Sequence, residues 1–257
     1  MVSSQNKTKE IKMKTVLITG ANKGIGFETA KQLAELGYFV YLGCRSESNG
    51  IAAAKKLNDA GFSNIDYLII DVTDDKSVEL AKEKLEHRIQ KLDVLINNAG
   101  MSGGMPQTAL NATMEQYRSA FDINLFGVVR VTQAFIDLLK KSDEPRIVNV
   151  TSGQGSLTLA ADPTSIYYKS KLAVYQPSKA ALNMYTIALA YELRDTNFKI
   201  NMVCPGYTKT DFNGNRGTGT IEQAGQRIVK FAILESHGPT GKYICEEIFP
   251  ETGECPW

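Results

Sequence analysis

A chain of 257 residues with 43% hydrophobic side chains is long and apolar enough to bury a sizeable core. Its formal net charge of +1 makes no case for nucleic acid as a partner, and no apolar run approaches the roughly 20 residues of a membrane span. Four cysteines without a C-x-x-C pair and only two histidines leave no clustered ligand set, so the expectation is no metal, reduced thiols and a cytoplasmic protein, with pairing of Cys245 and Cys255 left open.

Residues 1–13 are polar and lysine-containing, without an apolar stretch, and are expected to form a lead-in to a single domain over 14–257. A short β-branched run, Thr15 to Thr19, leads into Gly20-Ala21-Asn22-Lys23-Gly24-Ile25-Gly26 and then a helical pattern from Phe27 to Leu36. Strand, glycine turn and helix together are the setting in which a glycine motif binds a pyrophosphate. The glycines let the backbone come close, and the helix N-terminus offers free N–H groups and the positive end of its dipole. The spacing, G-x-x-x-G-x-G, departs from the dinucleotide fingerprint, so a plain turn is the competing interpretation. A second strand, Tyr38 to Gly43, ends in Cys44-Arg45-Ser46. An NAD site places a carboxylate about 20 residues after the glycine turn to hold the ribose hydroxyl. This chain has none there. Arg45 and Lys23 offer two cations instead, which suits a 2′-phosphate and therefore NADP(H), unless Arg45 is an ordinary surface arginine.

A helix from Asn49 to Ala60 is followed by a strand from Asp66 to Ile70 and by Asp71-Val72-Thr73-Asp74, with Asp74 as N-cap of a helix running to about Gln90. Asp71 and Val72 stand where an adenine would be met; Asp71 serves equally well as a turn aspartate. A fourth strand, Leu92 to Ile96, ends in Asn97-Asn98-Ala99-Gly100, small residues that leave room for a ligand above the backbone. The two asparagines would equally bond neighbouring turns. A long helix is expected from about Met114 to Lys140. Asn124 lies inside it, where asparagine is a poor helix residue and needs a reason. Arg146 to Val150 is strand five, ending in Thr151-Ser152-Gly153. The Ser152 hydroxyl is at the carboxyl end of a central strand, where open α/β sheets bind ligands. Its neighbour Thr151 faces the other way.

A mixed segment from Gln154 to Val174 precedes Tyr175-Gln176-Pro177-Ser178-Lys179 and a helix to about Asp195. Proline is tolerated in a helix's first turn, so Pro177 fixes the start near Val174. Tyr175 and Lys179, four apart, then share one face. An ammonium beside a phenol lowers its pKa from about 10. Such a tyrosine exchanges a proton with a substrate oxygen near neutral pH. Tyr167 and Lys171 repeat the spacing in what must be a separate turn, and either copy alone is also compatible with a plain helix surface. Strand six, Lys199 to Val203, ends in Cys204-Pro205-Gly206-Tyr207-Thr208, and the glycine-rich run Asn213 to Thr220 is expected to be a mobile lid. A helix from Ile221 to Leu234 and a strand from Gly241 to Cys245 complete the pattern. The alternation predicts an α/β fold, a Rossmann-type doubly wound parallel sheet flanked by helices.

In chain order, Thr19-Gly-x3-Gly-x-Gly26, Asn97-Asn-Ala-Gly100, Asn124, Ser152, Tyr175-x-x-Ser-Lys179 and Asn201-x-Val-x-Pro-Gly206 resemble the short-chain dehydrogenase/reductase family over nearly the whole chain. Gly238-Pro-Thr-Gly241 and Pro256-Trp257 resemble its carbonyl reductase branch. The resemblance implies an NADPH-dependent oxidoreductase that reduces an aldehyde or ketone to an alcohol. NADP-linked alcohol oxidation and a catalytically silent NADP-sensing protein are the alternatives. It implies that Tyr175 protonates the carbonyl oxygen, and that Lys179 lowers its pKa and binds the nicotinamide ribose. Ser152 would hydrogen-bond the substrate oxygen, and Asn124 would hold a water that relays protons. Asn98, Ala99 and Gly100 would line the cofactor path. Pro205, Gly206 and Thr208 would border the nicotinamide, with Thr208 or Thr210 touching carboxamide or phosphates. Ser152 and Tyr175 are 23 positions apart, more than is usual in the family. The extra segment, with Tyr167 and Tyr168, therefore lies beside the pocket and leaves monomer or homo-oligomer undecided. The expected partner is a small-molecule carbonyl or alcohol.

Overall fold

Seven short apolar runs become seven strands in the computed structural model, which describes residues 13–257; the expected lead-in lies outside these but for Met13. The strands are β1 Thr15–Thr19, β2 Phe39–Cys44, β3 Ile65–Ile69, β4 Val94–Asn97, β5 Arg146–Val150, β6 Lys199–Val203 and β7 Tyr243–Ile244. They form one parallel sheet in the order β3-β2-β1-β4-β5-β6-β7. The chain leaves β1 to one side for β2 and returns on the other for β4. That reversal opens a crevice at the carboxyl ends of β1 and β4, the place where sheets of this kind bind ligands.

The helices are α1 Gly24–Glu35, α2 Glu47–Asp59, α3 Asp75–Glu86, α4 Met114–Phe121, α5 Gly127–Leu139, α6 Leu157–Ala161, α7 Tyr175–Glu192 and α8 Ile221–Ala232. One face of the sheet buries Val16, Ile18, Val40 and Ile96 with Leu33 of α1, Leu57 of α2 and Ile228 of α8. The other buries Leu17, Leu95, Ile147 and Ile200 with Leu85 of α3, Phe135 of α5 and Ala190 of α7. Burial on both faces is why the strands read as continuous apolar runs. No helix among the described residues is long and apolar enough to cross a membrane.

The expected helix over 114–140 is interrupted. A π turn, Asp122–Phe126, separates α4 from α5 and contains Asn124, whose amide bonds outside the helix. Such wide turns insert into helices where tertiary contacts outweigh the regular ladder. The second helix starts two residues earlier than expected, at Glu47, because Ser46 caps it through Asn49 N. Asp74 caps α3 through Lys76 N and Ser77 N, but the helix stops at Glu86, short of Gln90. The short helix α6, capped by Ser156, was not legible in the mixed segment.

Candidate active site

The first turn of α7 carries the central side chains. Val174 supplies no side-chain cap. Gln107, from the loop before α4, does so instead: its Oε1 accepts from Val174 N at 3.2 Å and Tyr175 N at 2.9 Å. Its Nε2 donates to the carbonyls of Ser102 and Gly104, at 2.8 and 2.7 Å. Tyr175 is thereby fixed at the mouth of the crevice. One helical turn on, Lys179 is buried, and its Nζ donates to Val150 O at 2.9 Å, two residues before Ser152. Nζ lies 5.9 Å from the centre of the Tyr175 ring. The Ser152 Oγ accepts from Gln154 N at 3.2 Å, which leaves its own proton free to donate. Asn124 accepts from Met101 N and donates to Met101 O and Ser178 Oγ, each at 2.9 Å. Both hydrogens of its amide are therefore taken by protein, and the side chain ties the loop after β4 to α7.

Burial governs the ionisation of this cluster. It raises the Tyr175 phenol well above its ordinary value, and the Ser152 hydroxyl opposes part of that rise. It lowers Lys179 to about 8. The lowering of Tyr175 by Lys179, expected from their spacing, is not what the structure shows. The phenol is desolvated, and the ammonium is turned toward Val150 O.

Across the crevice the glycine turn is built for close approach. Gly20 and Gly24 have φ of +66° and +59°, the left-handed region that favours glycine. A Cβ on Gly26 would lie 2.4 Å from Asn98 Nδ2. Asn98 Nδ2 donates to Thr19 O and Gly20 O, while Asn98 N and Ala99 N donate to Thr19 Oγ1, so β1 and β4 are laced together at the switch point. Asn97 bonds Thr132 and Asn149 in the core. Both asparagines thus serve neighbouring turns and strands. A Cβ on Gly100 would stand 3.3 Å from Asn124 Oδ1 and 3.7 Å from Lys179 Nζ, so the glycine keeps a path open between crevice and lysine. Asn22 and Ile25 lie half-buried on the turn, and Arg45 is exposed just before Ser46 at the start of α2. Asp71 Oδ1 accepts from Thr73 N and Thr73 Oγ1, the turn role that competed with adenine contact. The Val72 side chain is buried in the core, against α5.

The loop after β6 closes the other side. Gly206 takes a φ of +91°, and Thr208 is buried with Oγ1 donating to Gly206 O at 3.2 Å. Pro205 O accepts from Arg227. The Thr210 methyl would be 4.0 Å from a Cβ on Gly24, so this loop faces the glycine turn. Lys23, expected at the 2′-phosphate, is ion-paired with Asp211 of that loop at 3.0 Å. Phe212 sets its ring edge-on to Tyr175, centres 5.8 Å apart. The expected lid is anchored at its roots by Thr218 N and Gly219 N, both donating to Tyr207 O.

The second Tyr-x-x-x-Lys copy does not form a helical pair. The Lys171 ammonium lies over the Tyr168 ring at 4.9 Å and bonds Ala160 O. The Tyr167 hydroxyl rests against Gly153, 2.6 Å from where a Cβ would be, and burial raises its pKa strongly. All four cysteines are buried and free, Cys245 and Cys255 included. No group of His, Cys, Asp or Glu among the described residues could hold a metal ion. Gln107 and Phe212 are the members of the site that the sequence does not announce.

Residues 14–220 match the family model for short chain dehydrogenases. A short-chain dehydrogenase of Penicillium roqueforti, anuI, is 40% identical over 223 residues, which cover 84% of this chain and 87% of that one. Salutaridine reductase of Papaver bracteatum is 31% identical, covering 92% of this chain and 96% of its own. Among solved structures, NADPH-bound carbonyl reductase from chicken fatty liver superposes with a TM-score of 0.81 at 26% identity, over 95% of this chain and 99% of that one.

Proposed function

The chain belongs to the short-chain dehydrogenase family, and on that footing we propose that it is an NADPH-dependent reductase of aldehydes or ketones. The observation that carries the proposal is the convergence of Ser152, Tyr175 and Lys179 at the crevice where β1 and β4 part, facing a glycine turn with no room for a Cβ at Gly20 or Gly26. The fit to a dinucleotide rests on that turn: backbone close enough to meet a pyrophosphate, and the N-terminus of α1 behind it. Lys23, Arg45 and the lack of a carboxylate at Cys44 favour the 2′-phosphorylated form, in keeping with the NADPH in the carbonyl reductase structure. NADPH, when bound, supplies the hydride.

The protein's own part is binding, alignment and proton transfer. Ser152 donates its free proton to the substrate oxygen and stabilises charge as it builds there. Tyr175 gives up the proton. Its raised pKa keeps the phenol protonated until a substrate oxygen takes the proton, and Lys179, bonded to Val150 O one turn on, places its positive charge 5.9 Å from the ring centre. Asn124 holds Ser178 and Met101, and through them the turn on which Tyr175 and Lys179 ride. We take 14–257 to work as one domain, in the cytoplasm, where its buried thiols stay reduced. Alcohol oxidation with NADP is the same chemistry reversed. A silent NADP sensor has no need of Ser152, Tyr175 and Lys179 together.

Mixing the purified protein with NADPH and a panel of aldehydes, diketones, quinones and cyclic ketones tests the proposal. Carbonyl-dependent loss of NADPH absorbance supports it. Tight NADPH binding with no oxidation across the panel would favour the sensor instead.

A further inference from the structure

We propose that Tyr243 and Cys204 are positioning residues for Ser152, holding the two polar groups of the Ser152–Gly153 peptide from β7 and from the end of β6. The inference rests on the role given above to Ser152. That serine leaves the sheet in extended conformation, φ −153° and ψ 146°, and the chain turns at once into the 3-10 turn Gly153–Gly155. A side chain at such a corner points only as steadily as its peptide is held.

Here the peptide is held at both ends. The Tyr243 hydroxyl donates to Ser152 O at 2.5 Å. The Gly153 N–H donates to Cys204 Sγ at 3.2 Å. Tyr243 is 2% exposed and Cys204 4%, so water does not compete for either bond. Neither residue is free to drift. Cys204 N donates to Ile244 O at 2.8 Å, and Tyr243 O accepts from Cys255 N at 2.8 Å. The Tyr243 ring lies against Trp257, centres 5.6 Å apart, and Trp257 O accepts from Thr158 N at the start of α6. The Tyr167 hydroxyl occupies the side of Gly153 where a Cβ would be, which stops the peptide from tipping that way. The Ser152 hydroxyl is in this way coupled to the last strand and to the segment 255–257, neither of which touches the substrate oxygen. A thiol sulfur is a weak acceptor, and a serine hydroxyl in its place would serve the same N–H.

Tyr243→Phe keeps the ring and removes the hydroxyl. Turnover in carbonyl reduction is expected to fall about tenfold, as for loss of one buried hydrogen bond felt at the transition state. NADPH dissociation constant and folding by circular dichroism stay as in the parent. The deciding readout is a double-mutant cycle with Ser152→Ala in single-turnover hydride transfer. The tenfold loss is expected in the serine background and absent in the alanine one, which a merely structural tyrosine would not produce. Cys204→Ala is expected to lose turnover and Cys204→Ser to recover most of it, and this pair decides by the same criterion if Tyr243→Phe does not fold. Equal losses in both Ser152 backgrounds, or no loss at all, would overturn the inference alone. Wild-type turnover in Ser152→Ala by itself would overturn the role of Ser152, and the inference with it.

Discussion

Replacing Gln107 with leucine keeps the shape of a buried side chain and removes all of its hydrogen bonds. Gln107 is 2% exposed, so no water replaces it. Its Oε1 is the acceptor for Val174 N and Tyr175 N, two N–H groups at the start of α7 that have no helical partner of their own. Each N–H left unsatisfied in the interior costs about 1–3 kcal/mol, so the pair costs about 4 kcal/mol. The carbonyls of Ser102 and Gly104 lose a donor too, but Gly104 is exposed and Ser102 half-buried, so water replaces that donor and they add less. Urea unfolding should show the loss as a lower midpoint with an unchanged slope. Because the loosened turn carries Tyr175, turnover should fall further than NADPH affinity does. Gln107→Glu restores an acceptor, with a charge that suits a helix N-terminus, and should recover part of the stability. A loss below about 1 kcal/mol in Gln107→Leu would refute the reasoning, since two buried N–H groups cannot be abandoned so cheaply.

Arg45→Ala should weaken NADPH roughly ten- to a hundredfold, the range for one charge-assisted contact, and leave NADH nearly unchanged; equal losses measured by titration would remove the phosphate from the account. Lys179, lowered to about 8 by burial, carries its proton below that pH and loses it above. Carbonyl reduction should therefore be level below about pH 8 and decline above it, whereas a profile flat to pH 10 would contradict a charged lysine in the step. Stability of the cofactor-free protein should move in the opposite sense. Between about 8 and the ordinary 10.5 the unfolded chain holds the extra proton, so the folded state gains as pH rises, as thermal melts across that window would show.

Most of the sheet is legible because its strands are short, mostly apolar runs buried on both faces, bounded by glycine, asparagine or proline. The start of α7 was legible for a single reason: Pro177 is confined to a first turn. The glycine turn was legible because strand and helix flank it. Other features depend on contacts that local sequence does not encode. Nothing around Gln107 tells which distant helix it caps. The π turn at Asn124 follows from bonds to Met101 and Ser178, far away in the chain. The spacing of Tyr175 and Lys179 suggested a lowered phenol, but desolvation outweighs that neighbour, and Lys179 finds Val150 O instead. The repeat at Tyr167 and Lys171 had the same spacing without the helix, and its lysine turned to Tyr168. The sequence does not show that Lys23 is paired, because Asp211, its partner at 3.0 Å, comes from the distant loop after β6.

The central claim is that Tyr175 is the proton donor, and comparing Tyr175→Phe with Tyr167→Phe in NADPH-dependent carbonyl reduction tests it most directly. Tyr175→Phe should lower turnover by roughly 10²–10⁴, the share of a general acid, with NADPH binding retained. Tyr167→Phe should alter substrate affinity at most, because its hydroxyl rests on Gly153 and Lys171, the lysine spaced to it, lies over Tyr168 instead. A Tyr175→Phe protein that turns over normally beside an inactive Tyr167→Phe would contradict the account.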